Sequence, residues 1–239
     1  MNSLSMSVLD QFRDTAKSHP LWNHSFLTRC RTERLTLPEI RILAVQMYHF
    51  SNVFNRILAS ILARCPDAEA QQVILENLVD EMGEGNPSAA HPELFRRFTR
   101  ALDIDDAMLA GMSPEPETLH MIETYLALPY QHSYLGALGA VCFASEGIVG
   151  TLYTQLQQGI TGATTLSEDA MAFFTVHIHV DDGHAARLAA LLEPRLTSVQ
   201  QVRDVESAII RALDARVQFF NGVQRQTAQV EKQLTLHKV

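Results

Sequence analysis

Apolar residues recur at helical spacing through Ile40 to Leu62, Ala68 to Val79, His132 to Leu156, Ala170 to Leu192 and Val202 to Val223. No run shows the strict alternation of a strand, so the pattern predicts an all-α protein. Helix punctuation agrees. Thr36-Leu37-Pro38-Glu39 reads as a capping box before the first long stretch, and Ser167-Glu168-Asp169 opens the fourth with acidic residues. Connectors fall at Cys65-Pro66-Asp67, just after Glu81, at Ser113-Pro114-Glu115-Pro116 and from Gly159 to Thr165. The 239 residues suffice for one sizeable core, and nothing divides residues 1–239 into two domains. The polar segment 227–239 is expected to fray.

The run F-F-T-V-H-I-H-V-D-D-G-H gives the fourth stretch its chemistry. At roughly 100° per residue, His177, Asp181 and His184 fall within about 60° of arc on one helix face, while His179 and Asp182 point elsewhere. Imidazole and carboxylate together suit iron, manganese or zinc. Taken alone, the spacing arises about as often on a solvated polar face.

Two other segments supply matching donors. In N-L-V-D-E-M-G-E-G-N-P-S-A-A-H-P-E-L-F, the residues Gly83, Gly85 and Pro87 end one helix after Glu81, and His91-Pro92-Glu93 starts the next. A carboxylate and an imidazole then face each other across the break, with Glu84 as a rival donor inside it. Glu146 is a lone acid in the apolar stretch G-A-L-G-A-V-C-F-A-S-E-G-I-V-G, where it requires a charge or a metal as partner. An arginine would also satisfy it. Three carboxylates and three histidines from separate segments exceed the four ligands of a structural zinc and suit a dinuclear centre, with Glu81 and Glu146 nearest the chemistry.

These blocks, N-x2-D-E-x-G-x-G…H-P-E-L, the later buried Glu and F-F-x2-H-x3-D-x2-H, resemble the heme-oxygenase-like di-iron oxidases. That family is related in fold to thiaminase II and pyrroloquinoline-quinone synthase. The resemblance implies a single-domain helical bundle of about seven helices and a homodimer. It implies two ferrous ions per chain, held by Glu81, His91, Glu146, His177, Asp181 and His184, and dioxygen as co-substrate. Reactions differ across the family, and the expected substrate here is an amino acid or a small amine-bearing carboxylic acid, with fatty-acid decarboxylation second. Some members form para-aminobenzoate from one of their own tyrosines. This chain has Leu27 where that tyrosine is expected, in H-S-F-L-T-R-C, which argues against such chemistry. Metal-free enzymes of the thiaminase II or quinone-synthase type, or a small-molecule binding protein, are the alternatives, and they have no need of all six donors.

Composition narrows the partners. A net charge of −8 without a clustered basic face argues against nucleic acid. The N-terminus lacks a basic, then apolar, leader, and no later run is expected to span a bilayer, so the protein is expected in the cytoplasm. Cys30, Cys65 and Cys142 give neither a disulfide framework nor a CxxC site. Cys142 precedes Glu146 by four residues, and core filler is the favoured role for it. Glu117 and His120 form one E-x-x-H without a second copy, and Arg56 and Arg187 are weak candidates for a carboxylate clamp.

Overall fold

The computed structural model describes the backbone of residues 6–179 and 181–236, and the side chains of 6–178 and 183–230. Every regular element among them is helical. In chain order these are α1 (Val8–Ser18), α2 (Ser25–Thr32), α3 (Leu37–Arg64), α4 (Ala68–Glu81), α5 (His91–Ala101), α6 (Asp106–Gly111), α7 (Pro116–Gln131), α8 (Tyr134–Val141), α9 (Gly147–Thr161), α10 (Ala172–His179), α11 (Asp181–Leu192) and α12 (Val199–Leu236).

Local sequence sets the boundaries. Thr36 accepts from the Glu39 amide while Glu39 accepts from the Thr36 amide, closing the expected capping box at the head of α3. Asp67 caps α4 through the Ala70 amide. At the far end of α4 the chain turns through three consecutive left-handed residues, Gly83, Glu84 and Gly85. The Gly83 and Glu84 amides satisfy the last carbonyls of the helix, those of Asp80 and Val79. This turn delivers His91 to the first position of α5, back toward Glu81.

One of the expected continuous helices is divided. The stretch expected from His132 to Leu156 becomes α8, a π-helical turn over Cys142–Glu146, and α9. In that turn the Gly147 amide reaches back to the Cys142 carbonyl, five residues away. π-Turns of this kind concentrate at functional sites. Along the stretch expected from Ala170 to Leu192 the described residues are helical as α10 and α11, and residue 180 between them lies outside the described residues.

Helix α12 lies along α7 and α8 and contributes Val205, Ala208, Ile209, Ala212, Leu213, Phe220 and Val223 to the core. It continues through Leu236, and Thr227, where fraying was expected to begin, is buried. The segment Tyr134–Thr161 corrects the expectation about membrane-spanning runs. By length and composition it could cross a bilayer, with a mean hydropathy of 1.6, but 83% of that window is buried inside the protein. It is the core of the bundle, covered by α2, α10, α11 and α12.

Candidate metal centre

Three donors meet at one point. Glu81, at the end of α4, His91, at the start of α5, and His177, in α10, each offer a ligand atom within 4.8 Å of the others. All three are buried. Glu81 Oε2 and His91 Nδ1 are 2.9 Å apart, the contact that the turn after α4 was expected to bring about. Burial raises the Glu81 carboxyl above its ordinary range, with His91 working against it. Burial also disfavours protonated His91, but Glu81 overrides this and holds its pKa up.

His177 is set differently. Its Nδ1 donates to the Phe173 carbonyl at 2.7 Å, which fixes the tautomer and leaves Nε2 as the lone-pair nitrogen. Burial, reinforced by the nearby His91, pushes its pKa down to about 3, so the ring is neutral. Around it stand Phe173 at 4.2 Å and Tyr153 at 5.3 Å between ring centroids. Phe95 and Phe174 continue this aromatic wall.

Glu146 projects from the π-turn toward the same place. It is buried, and no arginine within salt-bridge reach of it was found among the described residues. Instead Asn77 Nδ2, one helical turn before Glu81, donates to Glu146 Oε1 at 3.0 Å. His184 Nδ1 lies 3.8 Å from Glu146 Oε2. The other nitrogen of His184 meets Asp80 Oδ2 at 2.6 Å. Burial opposes the His184 proton, but Glu146 and Asp80 outweigh it and lift the pKa to about 9. Glu81, Glu146 and His177 line one cavity of about 30 Å³ with Phe50, Ser51, Tyr153 and Arg216, room for about one water.

Five of the six candidate donors thus converge from α4, α5, the π-turn, α10 and α11. Asp181 opens α11, but its side chain lies outside the described residues. Asp80 and Asn77 are residues that sequence reasoning missed; both share a helix with Glu81, at spacings of one and four. The rivals fall away. Glu84 is exposed on the turn with positive φ, Glu117 pairs with Arg225, and Arg187 pairs with Asp80 at the surface. Cys142 is buried with its Sγ 3.4 Å from the Ala185 carbonyl oxygen, and burial raises its thiol far above the nucleophilic range.

The donor set fits iron. Its imidazoles and carboxylates are the ligands a non-heme iron takes, and burial without full internal pairing is what a bound cation would relieve. The arrangement is a buried histidine–carboxylate cluster inside a helical bundle of heme-oxygenase-like fold. The chain belongs to the family of iron-containing redox enzymes, whose profile matches residues 41–217. It is accordingly an oxidoreductase that uses iron.

Curated relatives include the 4-aminobenzoate synthase of Chlamydia trachomatis, 26% identical over 81% of this chain and 82% of that protein. The 4-aminobenzoate synthase of Nitrosomonas europaea is 27% identical over 87% of each. Among solved structures, a heme-oxygenase-like domain of unknown function from Shewanella denitrificans superposes with a TM-score of 0.80 at 17% identity, covering 93% of each chain. A TenA homolog from Pseudomonas syringae gives 0.76 at 16% identity, covering 94% and 96%. At these identities the structures bear on the fold alone.

Proposed function

We propose that the protein is a dioxygen-dependent oxidase holding two ferrous ions, and that it oxidises an amino acid or a small amine-bearing carboxylic acid. The observation that carries this reading is the convergence of Glu81, His91 and His177 within 4.8 Å, with Glu146 and His184 on the adjoining side. Glu81, His91 and His177 would hold one ion, and Glu146, His184 and Asp181 the other. When bound, iron supplies dioxygen activation and electron transfer.

The chain's own residues do the rest. Asn77 holds one oxygen of Glu146 and leaves Oε2 toward His184. Asp80 orients His184, and Phe173 orients His177. Phe50, Phe173 and Tyr153 keep water out, which strengthens every charge interaction inside. The small cavity favours a compact substrate over a fatty acid. A small-molecule substrate, a homodimer and a cytoplasmic site of action complete the proposal.

A second reading follows from the names of the curated relatives. Here the product would be 4-aminobenzoate, and the residue that favours it is Tyr153, which lines the cavity beside His177. Leu27, where the resemblance places the reactive tyrosine, is fully buried and cannot take that part.

Anaerobic titration with ferrous iron, followed by dioxygen exposure with panels of amino acids and fatty acids, tests both readings. Uptake of two irons, lost in His177→Ala, with oxidation of one amino acid, is the expected result. Release of 4-aminobenzoate without added substrate, abolished in Tyr153→Phe, would favour the second reading. No iron uptake by the wild type would sink both.

A further inference from the structure

Arg216 is a buried charged side chain without a carboxylate partner among the described residues. It sits in α12 at 5% exposure, inside the core, and it lines the iron cavity together with Glu81, Glu146 and His177. It also lines an adjoining cavity of about 20 Å³, and Phe50, Ser51 and Tyr153 are shared between the two.

The direct partners of the guanidinium are neutral. Nε donates to the Ala144 carbonyl at 2.7 Å and to the Tyr125 hydroxyl at 3.0 Å, and Nη2 donates to Ser145 Oγ at 2.8 Å. Phe50 and Tyr125 rings lie 5.2 and 5.5 Å from its central carbon. These contacts fix the plane of the fork. No carboxylate of the described residues comes within 4.0 Å of it, and Nη1 makes no hydrogen bond to them. Glu81 and Glu146 are already engaged, by His91 and by Asn77 and His184.

Arginine stays charged in any protein environment, and a buried charge without a counterion is costly unless something else supplies one. A rigid fork with one free edge, opening into the cavity of a reactive centre, is the arrangement that captures a carboxylate.

We infer that Arg216 is the anchor for the carboxylate of the substrate, and so restricts this enzyme to free acids. The inference rests on the proposed oxidation of a small carboxylic acid and assigns the residue that selects it. The two cavities Arg216 lines hold about 30 and 20 Å³, so a carboxyl group on Nη1 enters only as the Phe50, Ser51 and Tyr153 walls they share move apart. The remainder of a short molecule would then lie toward Glu81, Glu146 and His177. Esters, amides and amines of the same carbon skeleton lack the anion and would leave the cation unpaired.

The test is thermal unfolding of the metal-free full-length protein with acetate, acetamide or chloride at constant ionic strength. Acetate is expected to raise the melting temperature of the wild type, and acetamide and chloride are not. In Arg216→Met, of similar volume and uncharged, the acetate shift should vanish, on a baseline lowered by the loss of the bonds to Ala144, Tyr125 and Ser145. Arg216→Lys serves if the methionine variant does not fold. It keeps the charge without the fork and should bind acetate about tenfold more weakly.

In the iron-loaded enzyme, Arg216→Met should raise KM for the oxidised amino acid by about 100-fold, with a smaller change in kcat. Equal acetate shifts in wild type and variants, or no acetate shift in the wild type, would overturn the assignment. An acetate shift that depends on Arg216 in a protein that oxidises no amino acid would instead sink the functional reading and leave the anion site standing.

Discussion

Asp80 and His184 are joined between α4 and α11 by a 2.6 Å hydrogen bond, which leaves Nδ1 of the same imidazole facing Glu146 at 3.8 Å. A carboxylate behind a ligand histidine fixes its ring and raises its basicity, and losing such a partner typically weakens metal binding about 10- to 100-fold. Asp80→Ala is therefore expected to lower ferrous affinity by that factor, measured by anaerobic competition with a chromogenic chelator. Wild-type affinity in the variant would show that the bond orients nothing.

Gly83 and Gly85 share a positive φ but not a neighbourhood. A Cβ at Gly83 would collide with the Asn86 carbonyl oxygen and stand 2.5 Å from the Ala90 nitrogen, both backbone atoms, whereas one at Gly85 would meet open space. Gly85→Ala carries only left-handed strain, about 1–2 kcal/mol. Gly83→Ala adds a clash the turn cannot relieve and should cost about 3 kcal/mol or more, and with it the approach of His91 to Glu81. Urea unfolding of the two variants checks the difference, and equal losses would contradict it.

Gly139 of α8 packs against Val205 of α12, and an added Cβ there would collide with Cγ1 of Val205. The obstacle is β-branched and stiff, so Gly139→Ala should destabilise by about 1–3 kcal/mol. Val205→Ala opens the missing space. The double variant should therefore be less destabilised than the sum of the two singles, by a coupling of about 1–2 kcal/mol in a denaturant-unfolding cycle. Strict additivity would mean that the two helices adjust independently.

Burial pushes the Cys30 thiol up to about 12. Above the ordinary thiol pKa the unfolded chain releases this proton and the folded chain keeps it, so the unfolded state binds fewer protons and stability falls as pH rises from 9 toward 12. The limiting slope is about 1.4 kcal/mol per pH unit. Denaturation midpoints at about pH 8 and about pH 10 should show this decline, and Cys30→Ala should reduce it without abolishing it, because burial also raises the Cys142 and Cys65 thiols. In the folded protein all three buried thiols should resist maleimide until unfolding. Rapid labelling of the native protein would contradict their burial.

The donors that were readable in the sequence are those whose signal is local. Glu81 and His91 flank a glycine-rich turn, and Glu146 stands out because its neighbours are apolar. Their supports were not readable, because Asn77, Asp80 and Arg216 acquire meaning only from what other helices bring to them. Arg216 did leave a trace. It follows Ala212 and Leu213 and precedes Phe220 at helical spacing, which places a charge on the buried stripe of α12. The division of the stretch from His132 to Leu156 left none, since a π-turn needs no glycine or proline and changes no composition. The apolar character of Tyr134–Thr161 reports burial, and composition alone does not distinguish a protein interior from a lipid one.

The π-turn at Cys142–Glu146 places one residue more in its turn than an α-helix would. Glu146 faces the cavity because of that surplus. Deleting a single residue from the turn would restore ordinary winding and re-aim the side chains within it, while α8 and α9 keep their buried faces. The apolar residues on both sides would still find a core to enter, so the bundle could survive while its central carboxylate turned away. The chemistry of this protein is thus more exposed to the loss of one residue in that turn than to most exchanges of one residue for another.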